Sequence, residues 1–69
     1  MAARLIVTYY ADGQTQKIVT EFETLKDAQR ALLALEADWR ARKIGQVVMM
    51  SGKIVRNIDN KYVTTAKVR

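Results

Sequence analysis

Cysteine, histidine and proline are absent from these 69 residues, and serine occurs once, as Ser51. Without cysteine there is neither a disulfide staple nor a thiolate metal site, which fits a reducing compartment. Losing histidine as well removes the commonest general base and most transition-metal ligands. Ser51 stands beside Gly52 in a turn-forming pair, and Gly52-Lys53 lacks the spacing of a phosphate loop. Asp12 and Asp59 sit in turn signals, where Asp caps its own backbone. The expectation is a non-enzyme, with no catalytic residue, no metal ligand set, no cofactor and no small-molecule substrate. Met1-Ala2-Ala3-Arg4 runs straight into a strand-like segment with no signal-type apolar run, and no stretch is long enough to span a membrane. The expected location is therefore cytoplasmic.

What is present is one long amphipathic stretch, Thr24 to Gly45. Leu25, Ala28, Leu32, Leu35 and Trp39 recur in steps of three and four, placing them on one helix stripe. Thr24 followed by Asp27 predicts the N-terminal cap, and Gly45 the residue that ends the helix in a left-handed conformation. Arg40, Arg42 and Lys43 fill the last turns, where cations suit the unsatisfied carbonyls. Glu36 to Arg40 and Asp38 to Arg42 add exposed i,i+4 pairs worth about 0.2–0.5 kcal/mol each.

Before the helix, Arg4 to Tyr10 and Thr15 to Phe22 read as strands joined by the hairpin dipeptide Asp12-Gly13. A two-residue loop there sets Val7 opposite Ile18 and Leu5 opposite Thr20. Leu5, Val7, Tyr9, Ile18 and Phe22 then form a face for the helix to cover. After the helix, Gln46 to Met50, Lys53 to Ile58 and Lys61 to Val68 read as three more strands, turning at Ser51-Gly52 and Asp59-Asn60. Two-residue pairing at both turns puts Val48, Met50, Val55, Tyr62, Ala66 and Val68 on one face. It puts Val47, Met49, Ile54, Ile58 and Val63 on the other, among Arg56, Lys61, Lys67 and Arg69. The predicted fold is a single α+β domain over residues 1–69, ordered ββ-α-βββ, with one antiparallel five-stranded sheet. A helix about 28 Å long covers only one face of it.

Charge divides the chain. The net charge is +5, yet residues 1–38 carry four basic against six acidic residues, and residues 39–69 carry eight basic against one acidic. A skew of this kind either keeps a small domain soluble or marks a footprint for an anionic partner. The candidate basic contacts are Arg40, Arg42, Lys43, Lys53, Arg56, Lys61, Lys67 and Arg69, with Lys17 and Tyr10 extending the patch across the first hairpin. The candidate apolar contacts are Val47, Met49 and Ile54. An open sheet carrying cations and an aromatic is a platform on which a single nucleic-acid strand can be tracked and stacked. Lysines that merely blunt exposed strands give a similar pattern.

Two functions are therefore expected. One is a binding module that engages nucleic acid or a ribonucleoprotein through a basic sheet face. The other is a protein-binding accessory or inhibitor acting by surface occlusion, either alone or as a homodimer joined through the uncovered face. In size and helix-on-sheet layout the chain resembles many small phage and mobile-element proteins, including anti-CRISPR inhibitors. That likeness carries no residues across. It implies occlusion of a large ribonucleoprotein and, for a phage-encoded chain, the cytoplasm of the host.

Overall fold

The structure is a computed structural model and describes residues 3–69. The elements are β1 (Ala3–Ala11), β2 (Gln14–Phe22), α1 (Leu25–Arg42), β3 (Gln46–Met50), β4 (Lys53–Ile58) and β5 (Tyr62–Val68). All five strands join one antiparallel sheet in the order β2-β1-β5-β4-β3. The predicted α+β class and ββ-α-βββ order are found. The first hairpin has the expected register, with Val7 opposite Ile18 and Leu5 opposite Thr20. Both residues of its Asp12-Gly13 turn have positive φ, the type I′ geometry that matches strand twist. The last strand lies in the centre of the sheet, between β1 and β4, and ties the two halves of the chain together.

The Thr24 side chain accepts the Asp27 N–H at 3.1 Å, so the helix starts where the sequence places it. It ends earlier than expected. Lys43, not Gly45, takes the left-handed cap position, with φ 55°, and its N–H donates to the Arg40 carbonyl at 3.2 Å. Gly45 has a different duty. Its φ is +74°, and a Cβ there would stand 2.5 Å from the Asn57 carbonyl oxygen. The chain can pass this close to β4 only as glycine.

Ala28, Leu32 and Trp39 of the helix are buried, and Leu32 and Trp39 pack with Leu5, Ile54 and Ala66 of the sheet. Val7, Phe22, Leu35, Val47 and Val68 close around that cluster. Leu25 departs from the predicted stripe: it is 54% exposed. The first helical turn directly follows β2, an edge strand, so it begins at the rim of the sheet with no further strand beneath it.

The predicted faces of β3 and β4 are inverted. The expected two-residue turn at Asp59-Asn60 would oppose Ile58 to Lys61. The ladder instead resumes with Ile58 opposite Tyr62, leaving Lys61 as an extra residue. The Lys61 N–H still closes the turn on the Ile58 carbonyl at 3.0 Å. The Asn57 side chain accepts the Asn60 N–H and donates to the Asn60 side chain, both at 2.9 Å, clamping the longer connection. Side chains alternate along a strand, so one extra residue moves every β4 and β3 side chain to the opposite face relative to β5. Val47, Met49, Ile54 and Arg56 therefore lie on the helix side, and Val48, Met50, Lys53 and Val55 on the open side.

Candidate functional site

The inverted faces of β3 and β4 take four residues out of the predicted contact surface. Ile54 has no exposed area and is the largest fully buried side chain. Val47 packs against the core, and Met49 lies on the helix face, partly exposed at the sheet edge. Arg56 runs beneath the helix, its guanidinium carbon 4.8 Å from the Trp39 ring centroid. Its Nε is buried without a hydrogen-bond partner. Stacking on an aromatic face offsets part of that cost, because the ring quadrupole attracts a cation. Arg56 is a half-buried cation on the helix side of the sheet.

The other basic residues separate into three places. Arg40 and Arg42 pair with Glu36 and Asp38 along the helix, at 3.4 and 3.0 Å. With Lys43 they lie at the helix end, on the layer opposite the open face. Lys61 is in the β4–β5 turn. Only Lys53, Lys67 and Arg69 of the predicted basic set belong to the open face, and there they meet Arg4, Lys17 and Tyr10.

Residues opposed across antiparallel strands share a face, so the pairing orders this surface into rows. Lys17, Thr8 and Thr65 form one row, on β2, β1 and β5. Ile6, Lys67 and Lys53 form the next, on β1, β5 and β4. Thr15 and Tyr10 lie beyond the first row. Lys17, Lys53 and Lys67 thus line a concavity of about 270 Å³ together with Thr8, Thr15, Thr65 and Tyr10. Ile6 supplies an apolar part of the lining.

The electrostatics of this concavity are one-sided. Lys53 and Lys67 are directly opposed across β4 and β5, an arrangement of like charges that weakens a sheet. Among the described residues none of the three lysines has a carboxylate partner within ion-pair distance. Among the described strand residues the one carboxylate on this face, Glu21, is engaged by Arg4 at 3.5 Å. Lysines that protect a sheet from mispairing belong on its edges, whereas Lys67 is on the central strand. The predicted apolar patch is replaced by a smaller one on the same face, where Val48 and Met50 of β3 are exposed beside half-buried Val55.

Thr8, Thr15 and Thr65 escaped the sequence reading because threonine is an ordinary strand residue. A signal was there for two of them: once Val7 faces Ile18, Thr8 faces Lys17 and Thr15 faces Tyr10. Among the described residues no three carboxylate side chains cluster where they would hold a metal ion. Among the described residues no helix is long and apolar enough to cross a membrane. No family model, no curated protein sequence and no solved structure matches this chain.

Proposed function

We propose that this protein is a non-enzymatic binding module whose open sheet face takes the phosphate backbone of a single nucleic-acid strand, free or within a ribonucleoprotein. The observation that supports this reading is the concavity ringed by Lys17, Lys53 and Lys67, three cations without carboxylate partners. Ammonium groups neutralise phosphate as point charges, and the threonine hydroxyls donate to its oxygens. Tyr10, half exposed at the mouth of the concavity, offers one ring for an unstacked base. Nothing here reads base edges, so binding is expected to be tolerant of sequence.

The test is affinity for a short single-stranded oligonucleotide as a function of salt. Three phosphate contacts give a log–log slope near −2, so binding weakens about twentyfold between 50 and 200 mM salt. Replacing Lys17, Lys53 and Lys67 together with Gln should abolish both the binding and its salt dependence. Tyr10→Leu should weaken oligonucleotide binding by about fivefold or more, as loss of a base stack does, and leave binding of a polyanion without bases unchanged. Absent or salt-insensitive binding, or binding that survives the triple substitution, refutes the reading.

A further inference from the structure

The helix leaves part of its own sheet face uncovered. Leu5, Val7 and Phe22 belong to the packed core, but Tyr9 and Ile18, predicted on the same covered face, are 37% and 46% exposed. On β2, Gln16 opposes Tyr9 and Gln14 opposes Ala11, so these four side chains share one face. With Thr15 they line a concavity of about 340 Å³ whose lining carries no charge. An exposed phenol ring beside two exposed carboxamides combines a stacking surface with hydrogen-bond donors and acceptors.

Thr15 also lines the lysine concavity on the open face, so the two hollows adjoin across the β2 edge. The rim between them suits a phosphate. Asp12 and Gly13 both have positive φ, and their two-residue turn makes Ala11 and Gln14 a hydrogen-bonded pair. Alternation then leaves Tyr10 and Thr15 as a non-hydrogen-bonded pair. No strand lies beyond β2, so the Thr15 N–H and C=O point away from the sheet. The N–H and the Thr15 hydroxyl are neutral donors for a phosphate oxygen. Asp12, in the turn, lines neither hollow.

We infer that the uncharged hollow is a base subsite of the lysine face: a strand held there crosses the β2 edge at Thr15 and lays one adenine on Tyr9, its edge bonded by the Gln14 or Gln16 carboxamide. Continuity and chemistry together select this occupant. A ligand spanning both hollows carries negative charge in one part and a neutral planar group in the next, as a nucleotide chain does. A carboxamide presents an N–H donor beside a carbonyl acceptor, and adenine offers the complement in its N6 amino group and N7. A purine also gives Tyr9 a wider surface to stack on than a pyrimidine gives. Tyr9 and Tyr10 are successive residues of β1, so alternation sends one ring to each side of the sheet. The lysine concavity itself tolerates any sequence, and the subsite adds a preference at a single position. Because the base arrives on a strand that the lysines already hold, the subsite rests on their role as a phosphate site.

The test compares two single-stranded octamers, one of thymidine alone and one with a single central adenosine. The second should bind the unmodified chain about fivefold or more tightly than the first. Gln14→Thr together with Gln16→Thr, exposed substitutions that should leave the circular dichroism spectrum unchanged, should erase that difference. The salt dependence of both octamers should stay as it was, because no cation is lost. Tyr9→Leu should weaken binding of the adenosine octamer by about fivefold or more, and that of the thymidine octamer by less. Ile18→Thr, on the same face but outside the hollow, should change neither. Equal affinity for the two octamers, or a preference that survives the paired glutamine substitution, overturns the base subsite and leaves the lysine face standing. Failure of both octamers to bind refutes the phosphate reading and the subsite with it.

Discussion

Ile54 and Val55 are neighbours on β4, yet they belong to two surfaces governed by different physics. On the helix face, alternate residues Ile54 and Arg56 are drawn under the helix, and the half-buried Arg56 stacks on the Trp39 indole with its Nε out of water. On the open face, Lys53 and Val55 meet solvent, and like charges stand opposed without a carboxylate between them. The first face is organised by exclusion of water, the second by what it leaves unpaired. The difference separates residues that hold the fold from residues free to serve a partner. It also explains why a basic residue cannot be assigned to a binding surface by its charge alone.

The largest effect is expected where that contrast is sharpest. Ile54→Asp places a carboxylate in a site with no solvent access and no partner, at a cost of about 4 kcal/mol or more. Stability for a chain of this length is about 3.5–10 kcal/mol, so circular dichroism and urea titration should find this variant either unfolded or with a much lower urea midpoint. Val55→Asp, one residue away, should fold and lose about 1 kcal/mol or less, in the range of strand propensity differences. Comparable losses at both positions would break the two-face description.

A second contrast sets Gly45 against Gly13, both at positive φ. Gly13→Ala meets no atom within 4 Å and should cost only the backbone penalty, about 1–2 kcal/mol. Gly45→Ala adds the collision with the Asn57 carbonyl and should cost about 2–4 kcal/mol, read as a lower urea midpoint. Equal midpoints would mean that β4 shifts freely from the helix exit.

The smallest effect lies on the open face itself. Lys67→Thr removes the like-charge opposition to Lys53 and should stabilise the fold by about 0.2–1 kcal/mol at low salt. The gain should fade as salt screens the repulsion. A loss of stability at low salt would show that Lys67 has a structural task the pairing does not reveal.

Much of this architecture was legible from local chemistry. The Thr24 cap, the helix periodicity and the Asp12-Gly13 turn are short-range signals, and each places its element correctly. The candidate site was half legible. Lys67, Arg69, Lys17 and Tyr10 follow from alternation on strands adjoining well-marked segments. Arg56, Val47, Met49 and Ile54 were put on the wrong face because Asp59-Asn60 has the look of a two-residue turn. The Asn57 to Asn60 hydrogen bonds that lengthen that turn are three residues apart and carry no distinctive sequence pattern.

The sequence by itself determined the element order, the helix start, the register of the first hairpin and the segregation of positive charge into the second half. These rest on contacts between residues near one another in the chain. Only the tertiary structure decided which face of β4 and β3 lies under the helix, and so which lysines gather around one concavity. The physical reason is the two-residue period of a strand. A single additional residue, Lys61, reverses a whole surface, and the choice is made where β5 inserts between β1 and β4 and packing selects one register for all three.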